Sequence, residues 1–335
     1  MSGICGFAGI NDDALLARMT RSIRHRGPDD CGYYQAGDVS FGHRQLSIID
    51  LSNGKQPMSN DDGSITLVFD GKIYNYRELR HTLESCGHTF KTSSDAEVLL
   101  RMFEEQGPQA LQKLNGMFAF AIHDLRRDEL FLARDRIGIK PLYYLTLPGR
   151  FLFASESKAL LAYPDWTPTT NPHAVQDYLA LGYVPGNHGL FAEVKRLEAG
   201  HYLIYKDNQV RTQRYWEPPV FSGPYYENED AYFEEFAELM ELSVSRRMLS
   251  DVPFGSYLGD GLDSGVIVAS MSKFASEPVK TFSIGFDYDQ GELSGSAKTA
   301  QLLGCDHTEI PFRASDVSNL PNIVYHMDDP LSLIH

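Results

Sequence analysis

Short apolar stretches bounded by turn-forming residues predict strands at about 3–9, 40–50, 65–70, 117–124, 129–134 and 151–155. The breaks between them include Asn53-Gly54 and Asp61-Asp62-Gly63, residues that favour turns for their backbone freedom and local hydrogen bonding. Helical spacing interrupts this pattern twice. Leu15, Met19 and Ile23 form one stripe that stops at Gly27-Pro28, and Val98, Leu99, Met102 and Phe103 form another that ends at Gly107-Pro108. Strands with helices inserted in this way predict an α+β N-terminal half, two sheets covered by helices. The segment from Trp216 to Pro224 is rich in proline and carries Gly223, so the linker is placed at 216–228. Beyond it, Phe233, Phe236, Met240 and Val244 make a helical face, and an apolar strand ends at Leu258. A Gly-containing loop, a helix from about Ser264 and a buried strand over Thr281–Phe286 follow. That order predicts an α/β doubly wound parallel sheet.

Composition adds limits rather than detail. At 335 residues and 42% hydrophobic content the chain can bury two cores, and its net charge of −15 argues against nucleic acid or an anionic membrane as partner. A small neutral or zwitterionic substrate suits it better. Cys5, Cys31, Cys86 and Cys305 have neither CxxC nor zinc-ligand spacing, so no metal held by protein ligands and no disulfide framework is expected. No export signal and no apolar run of about 18 residues is present, and the expected location is the cytoplasm with reduced thiols.

The N-terminus reads Met1-Ser2-Gly3-Ile4-Cys5-Gly6-Phe7-Ala8-Gly9. Removal of Met1, which a small second residue permits, would leave a hydroxyl and a free α-amine on Ser2, a nucleophile and a base on one residue. Met-Ser is also an ordinary chain start. Four further stretches bear on the choice. They are Arg24-His25-Arg26-Gly27-Pro28-Asp29, Gly42-His43-Arg44-Gln45-Leu46-Ser47-Ile48-Ile49-Asp50-Leu51, Phe69-Asp70-Gly71-Lys72-Ile73-Tyr74-Asn75-Tyr76, and Ala133-Arg134-Asp135-Arg136-Ile137-Gly138-Ile139-Lys140-Pro141-Leu142-Tyr143-Tyr144. Together they resemble the glutaminase domain of glutamine-hydrolysing asparagine synthetase, a class II amidotransferase of the N-terminal-nucleophile (Ntn) type. Ser250-Asp251-Val252-Pro253 and Gly261-Leu262-Asp263-Ser264 resemble the start of that family's ATP-pyrophosphatase domain, so the resemblance spans essentially the whole chain. It implies a glutaminase domain over 2–215 and an incomplete N-terminal part of the synthetase domain over 229–335.

The resemblance also implies a site, and this chain departs from it. Ser2 stands where the family has a cysteine nucleophile, and a hydroxyl is almost un-ionised near neutral pH. Cys5 is read as core, because it lacks the α-amine and points to the other strand face. Gln45 falls where the family's arginine grips the glutamine carboxylate, a loss of roughly 2–5 kcal/mol in a desolvated pocket. Arg44 should face the opposite side of that strand. Asp70 replaces the asparagine that, with the backbone N–H of Gly71, faces the developing oxyanion, and one lost donor costs roughly 2.7–4 kcal/mol of barrier. A carboxylate there adds repulsion unless protonated. Lys72 stands where the family usually has glutamate. Asp95 matches the ligand of the substrate amine, with a helix N-cap as the competing role. Arg26 matches the family's basic motif beside the glutamine pocket, in binding or in support of the pocket wall.

In the second half Leu258, Gly259, Gly261, Asp263 and Ser264 match the family's phosphate loop, which cradles phosphates on backbone N–H groups at a helix start. An ordinary strand-to-helix turn is the plain alternative. Asp260 replaces a glycine, puts a carboxylate near the phosphates and is expected to strain the loop. Ile284 matches the strand that reads adenine through its backbone, and Glu292 is the nearest match to a downstream acidic residue. The implied reaction hydrolyses glutamine to ammonia and adds it to an aspartyl-adenylate made from aspartate and ATP with Mg2+; a homodimer is left as an expectation. Two rivals stand beside it: a degenerate family member acting as a binding module, and an amide-forming relative with another substrate.

Overall fold

The structure is a computed structural model describing residues 2–48, 54–220, 223, 228–286 and 290–328. It divides into two compact units, Met1–Pro218 with Val324–His335, and Pro219–Ile323.

The first unit contains strands β1 (Gly3–Ala8), β2 (Asp30–Ala36), β3 (Val39–Gln45), β4 (Met58–Ser59), β5 (Ile65–Ile73), β6 (Gly116–Asp124), β7 (Glu129–Arg134), β8 (Tyr143–Leu147), β9 (Arg150–Ala154), β10 (Val194–Arg196), β11 (His201–Lys206) and β12 (Gln209–Arg214). Its helices are α1 (Asp13–Ser22), α2 (Tyr76–Ser85), α3 (Asp95–Gln106), α4 (Ser157–Leu160) and α5 (Pro172–Leu181). The strands form two six-stranded antiparallel sheets, ordered β10-β8-β9-β1-β3-β2 and β12-β11-β7-β6-β5-β4. Ile4, Phe41, Val68, Ala119, Ala121, Leu132, Phe151 and Phe153 fill the space between the sheets. Alternate residues of the same strands point outward to helices: Cys5, Phe7 and Leu152 pack with α1, while Phe69, Phe120 and Phe131 pack with α2 and α3. Because successive side chains leave a strand on opposite faces, both faces of these strands are buried and their sequences read as unbroken apolar runs.

Cys5 is wholly buried against Thr20 of α1, and burial pushes its thiol up to about 12, so it is core. The strand expected over 40–50 ends at Gln45; residues 46–48 lie outside it and 49–53 outside the described residues.

The second unit holds α6 (Glu229–Arg247), β13 (Gly255–Tyr257), α7 (Leu262–Phe274), β14 (Lys280–Phe286), α8 (Gln290–Leu302) and β15 (Asp306–Phe312). A short helix, α9 (Leu320–Met327), follows. The three strands make a parallel sheet in the order β13-β14-β15. Leu258, Val268 and Ala300 form one small core, and Val244, Met271 and Val279 another. Two expectations need correction. The helical face of α6 is buried only at Val244, with Phe233 and Phe236 exposed; β14 buries Thr281 and Ser283 but leaves Ile284 52% exposed, so only one face of the strand is covered.

Candidate active site

Ser2 immediately precedes β1. Its hydroxyl oxygen accepts the backbone N–H of Leu46 at 3.2 Å, a donor that is free because β3 has stopped one residue earlier. Gln45 extends from the last residue of β3 on the inter-sheet face, and its amide donates to the Gly54 carbonyl at 3.3 Å. From the facing sheet, Asp70 and Lys72 of β5 point into the same space. Ser2, Gln45, Asp70, Gly71, Lys72, Ser94, Asp95 and Lys140 line a cavity of about 100 Å³. Five sequence-predicted glutaminase residues, Ser2, Gln45, Asp70, Gly71 and Asp95, thus share one cavity.

Arg26 does not line it. Its guanidinium donates from Nε to the Ser2 carbonyl at 2.8 Å, from one terminal nitrogen to Glu156 at 3.0 Å and from the other to Asp70 at 2.7 Å. With all three nitrogens engaged, Arg26 ties the wall together rather than offering a fork to a substrate. Gly27 permits this: a side chain there would lie 2.4 Å from the Arg44 backbone, so only glycine lets the turn carrying Arg26 press against β3.

Asp70 is fully buried, and its environment corrects the expectation of an unopposed carboxylate. One oxygen takes the Arg26 bond, and the other lies 3.1 Å from Lys140 Nζ without hydrogen-bond alignment. Lys140 and Arg26, the latter shared with Glu156, compensate the buried Asp70, and Glu156, 2% exposed, extends the network by accepting from His25 and Lys158 as well. Lys140 and Glu156 escaped sequence reading as site residues. The loop holding Lys140 is built by its own motif: the Asp135 carboxylate accepts backbone N–H groups of Phe118, Ile139 and Lys140, and Arg134 donates to the carbonyls of Gly138, Lys140 and Leu197.

Asp95 is not the cap of its helix. Ser94 is, accepting the Glu97 N–H, while the buried Asp95 carboxylate accepts the Ile73 N–H at 2.9 Å. Burial raises Asp95 to about 6, with this bond and nearby Lys72 pulling the other way. Arg44 faces the α1 side, opposite Gln45, as strand alternation requires.

In the second unit the turn after β13 is held by Ser264, whose hydroxyl accepts the Gly259 N–H at 3.1 Å. Leu258 is buried, donating its N–H to Phe282, and its carbonyl accepts from the Ser283 hydroxyl. Helix α7 opens at Gly261 without a side-chain cap, leaving first-turn N–H groups open to an anion. Beyond its two chain neighbours, no residue has an atom within 4 Å of a Cβ built at Gly261. Asp263 stands exposed in the first turn of α7 and Ile284 on the exposed face of β14, whereas Glu292 belongs to α8 with its side chain outside the described residues. The strain expected of Asp260 is absent. Its φ is not among the positive values, and its side chain rests against α8, where a Cβ on Gly295 would come within 2.6 Å of Asp260 Cβ. Among the described residues no three His, Cys, Asp or Glu side chains are grouped to hold a metal, and no helix is long and apolar enough to cross a membrane.

Two family descriptions match this chain: glutamine amidotransferase domain over residues 1–216 and asparagine synthase over 235–333. The chain belongs to the glutamine-hydrolysing asparagine synthetase family. Relatives in that family include asparagine synthetase [glutamine-hydrolyzing] 1 of Bacillus subtilis (strain 168), 39% identical over 343 residues, covering 98% of this chain and 54% of that protein. Asparagine synthetase B of Escherichia coli (strain K12) is 31% identical over 348 residues, covering 98% and 57%. The chain spans about half the length of these relatives. A solved structure of the allosteric regulatory enzyme of purine biosynthesis aligns with a TM-score of 0.51 at 16% identity, covering 92% of this chain and 80% of that one; the likeness shows the Ntn-type amidotransferase fold.

Proposed function

We propose that the protein is an amide-forming, ATP-dependent ligase of the asparagine synthetase type whose glutaminase pocket releases little ammonia from glutamine. In this reading the glutaminase domain covers 2–215, the linker 216–228 and the synthetase part begins at 229. Aspartate, ATP and ammonia are the substrates, and glutamine is a poor nitrogen source.

The observation that carries the reading is the burial of Asp70 between Arg26 and Lys140. Acyl transfer needs donors aimed at the developing oxyanion, and a carboxylate has none to offer; the Gly71 N–H is left as the backbone donor. Ser2, with its α-amine free, is the nucleophile, while Gln45 and Asp95 face the carboxylate and ammonium ends of a bound amino acid. Gln45 supplies a neutral amide in place of a bidentate cation, which weakens that grip. In the second half the open N–H groups at Gly261, with Gly259, Asp263 and Ser264, suit a nucleotide's phosphates, the exposed Ile284 suits the base, Leu258 supports the loop from the core with both backbone groups engaged, and Glu292 is assigned by resemblance alone. Magnesium carried by the nucleotide would neutralise phosphoryl charge.

The same Asp70 network favours a second reading, a folded family member that binds without turnover. Product analysis separates the two, using the full-length protein with aspartate and Mg-ATP and either ammonium or glutamine. The expected result is asparagine from ammonium, with glutamine about 100-fold less effective, the loss that one missing oxyanion donor brings. Equal use of glutamine and ammonium overturns the proposal, and product from neither selects the module. Intact mass of the mature protein checks the prerequisite: retention of Met1 rules out Ser2 as an N-terminal nucleophile.

A further inference from the structure

On the face of β3 opposite the glutaminase cavity lies a second pocket, of about 410 Å³, walled by α1, the turn after it, β2 and β3. That volume falls within the roughly 300–1,000 Å³ typical of small-molecule sites. Arg21, Arg24 and Arg44 line it, an accumulation of cations in a chain whose net charge is −15. Two acids share the walls, yet each is directed elsewhere. Asp29 accepts the Ser47 N–H at 2.9 Å, and Asp30 accepts the Cys31 N–H at 2.8 Å and lies 3.9 Å from Lys55 Nζ. Among the described residues none of the three arginines has a carboxylate partner, in contrast to neighbouring Arg18, which pairs with Asp12. Arg44 is partly buried, opposite Cys31 in the β2–β3 register, and its Nε is buried with no hydrogen-bond partner. A buried guanidinium N–H without an acceptor is costly, and an incoming oxyanion would supply one.

We propose that this pocket binds a small organic polyanion, its charged groups clamped by Arg21, Arg24 and Arg44 and its body lying against Pro28 and the Tyr33 ring. The site also reaches the chemistry on the other side of the strand. Arg24 sits on the turn that carries Arg26, and that turn meets β3 where Gly27 abuts Arg44. An anion bridging Arg24 and Arg44 therefore pins the turn to the strand holding Gln45. The inference does not depend on whether the glutaminase cavity is active.

Calorimetric titration of the protein at low ionic strength, with pyrophosphate, AMP and citrate as separate probes, tests it. At least one probe is expected to bind with a Kd below about 1 mM. Arg44→Gln and Arg24→Gln, each checked for unchanged thermal unfolding, should weaken that binding about tenfold or more, whereas Arg18→Gln leaves it unchanged. Citrate binding alone identifies a polycarboxylate site, and AMP or pyrophosphate binding lost in both variants identifies a phosphoryl site. Binding that survives both substitutions belongs to the phosphate loop and overturns the proposal, as does failure of all three probes to bind.

Discussion

Asp70, in strand β5, and Asp260, in the turn after β13, are two carboxylates that the molecule treats differently. Asp70 is fully buried between the sheets of the first unit, and it is met by Arg26 at 2.7 Å and Lys140 at 3.1 Å. Asp260 sits at an exposed turn, and no ion pair is recorded for it among the described residues; its side chain leans on the bare backbone of Gly295. The contrast follows from solvent. A buried charge is tolerable only when paired and hydrogen-bonded, whereas water screens an exposed one at little cost. A substitution in a closed pocket therefore recruits a network, and one in an open loop stands alone.

The largest expected effect breaks the buried side of this contrast. Arg26→Met leaves Asp70 and Glu156 short of a shared cation, and removing one partner of a buried pair costs about 3–5 kcal/mol. Urea unfolding followed by tryptophan fluorescence reads it cleanly, because Trp166 and Trp216 both belong to the first unit. A loss below about 1 kcal/mol would mean that the network is not what holds the pocket wall.

Next comes a pair of opposed pH dependences in the first unit, at Asp95 and His43. Burial raises Asp95 from 3.8 to about 6, so the folded state binds the extra proton and the associated stability is lost as pH rises between about 4 and 6. Burial lowers His43 from 6.5 to about 4, so its contribution is present above 6.5 and lost as pH falls toward 4. Each is worth about 3 kcal/mol across its window, and the two largely cancel. Stability of Asp95→Asn should therefore rise with pH across the window, and that of His43→Gln should fall. Parallel slopes in the two variants would contradict the assignment.

Smallest is the exposed side. Asp260→Gly should shift unfolding by no more than about 0.5 kcal/mol and change Mg-ATP affinity less than about threefold, because the side chain packs on α8 and the backbone is unstrained. Tighter nucleotide binding by tenfold or more would show that the carboxylate faces the phosphates after all.

Where burial was complete, the sequence was legible. The runs at 117–124 and 129–134 are apolar on both faces and became β6 and β7. Strands β2, β4, β8, β10, β11, β12 and β15 are not predicted: in β2 and β12 solvent covers part of the surface, leaving mixed sequences such as Gln209-Val210-Arg211-Thr212-Gln213-Arg214, while β8 and β11 are largely buried but carry tyrosines and polar residues among their apolar positions. Five positions named from the sequence, Ser2, Gln45, Asp70, Gly71 and Asp95, line one cavity. Their partnerships were not legible. Nothing near Asp70 in the chain announces Lys140 or Glu156, which arrive through a loop fixed by Asp135 and a segment following β9. Only the fold reveals that the charge of Asp70 is compensated.

Ammonia release from glutamine by the mature chain beginning at Ser2, set against the folded triple variant Ser2→Cys, Gln45→Arg, Asp70→Asn, tests the central claim most directly. The expected result is hydrolysis near background for the native chain and a gain of about 100-fold or more for the triple variant, exceeding the product of the single changes because nucleophile, clamp and oxyanion donor act as a unit. Native hydrolysis as fast as the triple variant would contradict it: the pocket would then be competent as it stands, with Lys140 serving the oxyanion that Asp70 cannot.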